Sequence, residues 1–333
     1  LVDDSRIGIA VTGCGSAAPP KAIDNDRLSE VMDTSDEWIA SRTGIRQRRL
    51  SDPNGSLVQL ATEAAKSAIE MSGLDATDID LILLATSTPD DMFGSACKVQ
   101  AALGASQAVA FDLTAACSGF VFGMVTAAQY IRTGTYRNVL LIGADILSRW
   151  VDWSDRRTCV LFGDGAGAVV IQANEVDRLL GFELKSDGTQ NHCLNLAYSS
   201  SPKALLNDCD ISEGQFSPLT MNGQEVYRFA VKRVPEIIEK ALFRANVSVD
   251  GIDWLLLHQA NQRILDAVAD RLKIPSEKVI SNLAKYGNTS AASIPLALDE
   301  AVRGGSVKVG DTIAASGFGA GLTWGAAIFQ WGR

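Results

Sequence analysis

Residues 113–124, LTAACSGFVFGM, decide the fold. Phe111-Asp112-Leu113 reads as the end of a buried strand. From Ala116, small and apolar side chains continue almost without a break to Tyr130 and Ile131. A helix that is apolar nearly all round is buried nearly all round. Cys117 therefore falls at a strand-to-helix junction, in the first turn of a central helix. Backbone N–H groups and the positive end of the helix dipole favour a thiolate there, so a lowered pKa is expected. The small neighbours Ala115, Ala116, Ser118 and Gly119 leave room for a carbonyl to approach. Free cysteine is ordinarily an inert core residue. The junction and its small-residue collar make Cys117 a candidate nucleophile instead.

Elements around this stretch alternate. Residues 57–73 have a helical pattern that stops at Gly73, a good C-cap. Residues 79–86, IDLILLAT, are apolar on both faces, as in a parallel sheet. A helix over 95–103, a strand over 109–113, a strand over 139–144 and a strand within 160–171 complete an α/β pattern. The pattern then recurs. Ile79-Asp80 returns as Ile252-Asp253, 173 residues later, and the same offset carries Cys117 onto Ser290 in GNTSAASIPLAL. The chain is expected to hold two copies of one α/β unit, over 1–173 and 174–333, each around a buried central helix. Residues 174–217 are polar and weakly periodic, and read as an excursion that includes His192.

Composition narrows the function. The 333 residues are 47% hydrophobic and 21% charged, with net charge −9, which argues against a general nucleic-acid surface. No run of 18 apolar residues suggests a membrane span, and the N-terminus has no secretory pattern. The six cysteines show no CxxC spacing, so reduced thiols, a cytoplasmic setting (or a plastid, had a transit segment been removed) and no zinc site are expected. Gly13-Cys14-Gly15-Ser16-Ala17-Ala18 matches a dinucleotide fingerprint, but Pro19-Pro20 deny it the required helix, and a Gly-rich turn is expected. Arg42, Arg46, Arg48 and Arg49 form a basic run beside Trp38: either an anion site or a solvated turn. Thr34 or Ser35 is placed to cap the helix that carries Trp38.

The duplication sets three polar residues at equivalent ends of the two units: Cys117, His258 ending the strand 254–257, and Asn288 before the second central helix. Ligands of open α/β sheets gather at the carboxyl ends of strands. Only His192 and His258 are available as imidazoles, and Cys-His-Asn is the economical set. The Gly-rich stretch 316–321 serves either close packing or a backbone N–H aimed at an oxyanion.

At these residues the chain resembles the β-ketoacyl-[acyl-carrier-protein] synthase III family of thiolase-fold condensing enzymes. The resemblance runs through DTSDEWIASRTGIR (33–46), AACSGF (115–120), FGDGAGA (162–168), HQANQRI (258–264), GNTSAAS (287–293) and GFGAGLTWG (317–325). It implies a thiolase-like fold layered α-β-α-β-α. It also implies an acyltransferase that condenses an acyl-CoA, with acetyl-CoA the expected starter, with malonyl-carrier protein through an acyl-Cys117 intermediate and without a cofactor. His258 and Asn288 would hold the malonyl thioester oxygen, and the N–H groups of Cys117 and Ala320 the oxyanion of acyl transfer. Trp38 and Arg156 would hold the CoA adenine, with Thr34, Arg42, Gln224, Tyr227, Ala260 and Asn261 along its arm. Phe93 would reach the acyl pocket of a partner in a homodimer. Gln224 and Tyr227 replace a common Asn and Phe, and Arg157 and Ala320 stand where Gly is common. Arg228, Lys232, Arg263 and Arg271 either ring the pocket mouth and dock the acidic carrier or are solvated helix charges. A thiolase would need a second cysteine near the C-terminus, and none lies beyond Cys209. A polyketide synthase shares Cys-His-Asn but fits the carrier and CoA motifs less well. A non-catalytic partner subunit would usually lack the nucleophile.

Overall fold

The computed structural model describes residues 7–333. Residues 1–6, on which the expected lack of a secretory pattern partly rests, lie outside the described residues. In chain order the first half holds β1 (Gly8–Ala17), β2 (Ala22–Asp24), α1 (Asn25–Ser29), α2 (Asp36–Thr43), β3 (Gln47–Arg49), α3 (Leu57–Ser72), β4 (Leu81–Ala85), α4 (Ala96–Leu103), β5 (Val109–Leu113), α5 (Gly119–Arg132), β6 (Asn138–Ile146) and β7 (Asp164–Asn174). The second holds β8 (Leu179–Ser186), β9 (Leu194–Asn195), β10 (Tyr198–Leu206), β11 (Cys209–Phe216), β12 (Thr220–Met221), α6 (Gly223–Ala245), β13 (Trp254–Leu257), α7 (Gln262–Leu272), β14 (Val279–Ile280), α8 (Leu283–Tyr286), α9 (Ser293–Arg303), β15 (Thr312–Gly319) and β16 (Thr323–Gln330).

Two five-stranded sheets share one topology. The first runs β1-β7-β6-β4-β5 and the second β8-β16-β15-β13-β14. In each, the last three strands are parallel and the first two pairings antiparallel. Helices α5 and α9 pack between the sheets, α3 and α4 cover the first and α6 the second, with α7 against α6. This is the α-β-α-β-α layering expected. Phe120, Met124 and Ile131 of α5 meet Ile294 and Leu298 of α9 in the central core. Such helices need apolar residues on every side, which the composition of 116–131 supplies. Among the described residues, no helix is long and apolar enough to cross a membrane.

Several expectations change in detail. Strand β5 is not buried: Val109 and Phe111 are exposed, because β5 is a sheet edge. Its apolar residues have nothing to cover them within one chain. The Gly13–Ala18 stretch is no turn, since β1 continues through Ala17. A Cβ on Gly13 or Gly15 would stand 2.2 or 2.3 Å from a backbone oxygen of α3, so these glycines let a helix lie directly on the strand. The polar excursion begins later than expected, because 179–186 is core strand β8; the exposed part is the hairpin β10–β11. The basic run divides. Arg48 is fully buried and donates to the carbonyls of Ile23 and Val160 and to Asn25, Arg46 pairs with Asp36, and Arg49 stacks on Tyr286. Only Arg42 remains beside Trp38.

Candidate active site

The two central helices begin alike. Each follows a 3-10 turn, Ala116–Ser118 before α5 and Ser290–Ala292 before α9. Ala116 and Ser290 both take positive φ, 47° and 52°. A non-glycine residue in that region is strained and is held there only by its surroundings. These two residues are the structural equivalents, so Cys117 matches Ala291 and not Ser290; the repeat slips by one residue at this point. Asp145, fully buried on β6, ties the second of these turns to the loop that follows β4. It accepts from the hydroxyls of Thr86 and Thr88, the Ser87 N–H and, across the halves, the Ala291 N–H at 3.2 Å.

Cys117, His258 and Asn288 line one cavity of about 1030 Å³, together with Ser290, Phe318 and Ala320. Cys117 is buried. The end of β15 presses so close that a Cβ on Gly319 would stand 2.6 Å from the Cys117 nitrogen. The expected lowering of the thiol pKa is corrected: burial pushes it up to about 12, with the Ser290 hydroxyl opposing and the Asp145 charge adding to the rise. The loss of water outweighs the backbone N–H groups at this junction. Cys117 therefore rests as a thiol.

His258 follows β13 and is buried, with its ring edge on Phe318 at 5.4 Å between centroids. Its Nδ1 lies 2.7 Å from the Ser293 hydroxyl of α9, which also accepts from the Gln259 N–H. Burial lowers its pKa to about 3, so the imidazole is neutral at physiological pH. Asn288 is clasped by backbone: its N–H donates to Leu161 and its carbonyl accepts from Gly163. The FGDGAGA stretch thus serves to hold the asparagine loop. Asn288 Oδ1 accepts the Ser290 N–H at 2.9 Å, which leaves the amide NH2 as the group that can donate to a ligand. Ser293, Ser290 and Asp145 were missed as site residues. Only the small-residue signature at 287–293 contained a hint.

The remaining candidates stand around this cavity with mixed outcomes. Ala260, Asn261, Tyr227, Phe93 and Ala320 line it, whereas Gln224 is exposed and does not. Asn261 donates to the Arg42 carbonyl, which places α2 at the Asn261 side of the cavity. There Arg42 and Arg156 both lie over the Trp38 ring, at 4.7 and 5.0 Å, and the Thr34 hydroxyl is buried with no hydrogen-bond partner. Ser35, not Thr34, caps α2. Arg157 is spent on Asp155. Of the docking set, Arg228 and Lys232 are exposed and Arg263 is exposed but donates to the Ser41 carbonyl. Arg271 is exposed too, and sits eight residues beyond Arg263 on α7, about 12 Å by helix rise. Its guanidinium lies against the Val231 and Lys232 carbonyls and near Glu236.

Known proteins share both sequence and shape. Residues 111–188 match the 3-oxoacyl-[acyl-carrier-protein (ACP)] synthase III family and residues 242–331 its C-terminal region. A β-ketoacyl-[acyl-carrier-protein] synthase III of Trichormus variabilis is 72% identical, over 98% of this chain and 99% of its own. The structure of 3-oxoacyl-[acyl-carrier-protein] synthase III from Aquifex aeolicus superposes with TM-score 0.89 at 42% identity, over 97% of this chain and 100% of that one. The priming β-ketosynthase of the R1128 polyketide pathway superposes with TM-score 0.91 at 33% identity, over 100% and 99%. With its duplicated sheets, its buried Cys-His-Asn cavity and these relatives over nearly its whole length, the chain belongs to the β-ketoacyl-[acyl-carrier-protein] synthase III family.

Proposed function

We propose that the family's condensation runs here on Cys117, His258 and Asn288. The observation that carries this reading is their meeting on one cavity from both halves of the chain. The enzyme is an acyltransferase. It joins an acyl-CoA starter to malonyl-[acyl-carrier protein], releases CO2 and CoA, and yields the 3-oxoacyl carrier that initiates fatty acid synthesis. Acetyl-CoA is the starter proposed. In the first half-reaction the Cys117 sulfur attacks the thioester carbonyl, the Cys117 and Ala320 N–H groups hold the oxyanion, and the thiol proton ends on the departing CoA sulfur. In the second, the malonyl carboxylate leaves as CO2 and its electron pair moves into an enolate held by His258 Nε2–H and the Asn288 amide. The enolate carbon attacks acyl-Cys117, and the expelled thiolate, with its high proton affinity, recovers a proton from solvent. Cofactor and metal enter no step. Turnover of a panel of acyl-CoAs with malonyl-carrier tests the reading; no product from any of them would sink it.

Ser293 acts through His258. By donating its hydroxyl to Nδ1 it leaves the proton on Nε2, the tautomer that an enolate requires. Ser293→Ala should slow malonyl decarboxylation about tenfold, the worth of one ~1.5 kcal/mol hydrogen bond. Because His258 stays neutral down to about 3, this half-reaction should show no histidine inflection between about pH 5 and 8. The unfolded chain binds that proton near 6.5. Folding stability therefore falls with pH across the window from about 6.5 to about 3. An inflection near 6.5 in the pH–rate profile would contradict a neutral donor.

The assembly proposed is a homodimer in the cytoplasm. The open edge β5 with exposed Val109 and Phe111, next to fully exposed Met92 and Phe93, supports it, since long apolar edges are normally covered. Phe111→Lys should convert the sedimentation pattern from dimer to monomer; a wild-type monomer at micromolar concentration would contradict this. Trp38 between Arg42 and Arg156 is the proposed adenine platform. Arg228 and Lys232 with Arg263 are the proposed carrier contact. Arg228→Glu should raise the KM for malonyl-carrier and flatten its salt dependence while leaving acetyl transfer from CoA unchanged. Equal carrier kinetics in parent and variant would place docking elsewhere.

A further inference from the structure

Away from the three catalytic candidates, His192, Cys193 and Glu225 bring one ligand atom each within 4.8 Å of one another. Cys193 Sγ lies 3.0 Å from Glu225 Oε2 and 3.6 Å from His192 Nε2, and the His192 and Glu225 atoms are 3.7 Å apart. Tetrahedral zinc, with bonds of about 2.0–2.3 Å to such atoms, sets its ligands roughly 3.4–3.6 Å apart. The Cys193–His192 edge already fits, and the His192–Glu225 edge is slightly long. The third is the shorter contact of a thiol donating to a carboxylate, and it opens by about half an ångström when a metal replaces the proton. We propose that this triad is a binding site for Zn²⁺, with the fourth position left to water.

The ligands are presented by backbone that is already in place. His192 and Cys193 end the 3-10 turn Gly188–Cys193, which Asp187 caps, and Glu225 sits in the first turn of α6, which Asn222 caps. The Asn222 N–H donates to the Cys193 carbonyl at 2.8 Å, and Leu194 pairs with Met221 between β9 and β12. Preorganised donors of mixed thiolate, imidazole and carboxylate character suit a borderline-soft cation over Mg²⁺ or Ca²⁺. Cys193 is buried while the His192 and Glu225 side chains are open to solvent, so a cation can enter from outside. No CxxC spacing betrays the site, because Glu225 comes 32 residues after Cys193. The position has a consequence for the enzyme. Asn191, Leu194, Met221, Gly223 and Val226, all within four residues of a ligand, line the substrate cavity. A bound cation fastens the turn to α6 and stiffens that wall.

The test uses the full chain carrying Cys117→Ser, so that the active-site thiol is no ligand. Zn²⁺ should bind with one equivalent per chain and raise the thermal midpoint, and Co²⁺ should give a sulfur-to-cobalt charge-transfer band in the near ultraviolet. Adding Cys193→Ser should abolish the band. His192→Ala or Glu225→Gln should weaken Zn²⁺ by at least ~100-fold, since loss of outer-shell partners alone costs ~10–100-fold. Replacing the exposed Cys97 or Cys209 by Ser should change nothing. A charge-transfer band that survives Cys193→Ser, or Zn²⁺ affinity unchanged in both His192→Ala and Glu225→Gln, overturns the proposal.

Discussion

Cys117→Ser should drop product formation by ~10³-fold or more, the scale seen when a nucleophile is removed, while the fold stays intact. The substitution is nearly isosteric at a buried position packed against Gly319, so little stability is at stake. Reactivity is. Burial already holds the thiol up to about 12, and a hydroxyl in the same place is harder still to ionise and less polarisable as it attacks. The neutral His258 is committed through Nδ1 to Ser293 and offers a serine no strong base. Malonyl decarboxylation should persist in this variant, because the enolate is held by His258 and Asn288. Steady-state product assays checked against CO2 release read both quantities. A variant that still condenses within about tenfold of the parent would remove Cys117 from the nucleophile's role.

His258→Ala and Asn288→Ala should each slow CO2 release by ~10²–10³-fold, the usual loss for one oxyanion donor. Transfer of an acetyl group from CoA to Cys117 should stay within severalfold. The difference follows from where the donors come from. Asn288 Oδ1 is fixed by the Ser290 N–H and His258 Nδ1 by Ser293, so His258 offers its Nε2–H and Asn288 its amide NH2. The acyl oxyanion has its own donors in the backbone of Cys117 and Ala320. Quenched single-turnover acylation and CO2 release, measured on the same preparations, separate the two steps. Equal losses in both would mean that the side chains shape the whole cavity.

The fold was legible where local pattern and burial agree. Residues 79–86 are apolar on both faces and became a central parallel strand, Gly73 took the left-handed cap, and the two central helices were announced by small apolar runs. What failed depended on distant neighbours. An edge strand has the composition of an interior one, so the exposure of β5 could not be read from Val109–Leu113. The Cys117 pKa is set by how much water the packed halves exclude, which no spacing records. Gly13 and Gly15 serve a helix about fifty residues away. Ser293, Ser290 and Asp145 matter through partners in the other half or the neighbouring turn, and hydroxyls and buried carboxylates carry no periodic signal.

The central claim is that the acyl group rests on Cys117 between the two half-reactions. Incubation of the enzyme with acetyl-CoA alone, followed by rapid acid quench and peptide mapping by mass, tests it most directly. One acetyl group per chain should appear, confined to the peptide containing Cys117 and discharged when malonyl-carrier is added. Acetyl on Cys14, Cys97, Cys159, Cys193 or Cys209, or no covalent adduct during productive turnover, would contradict the account.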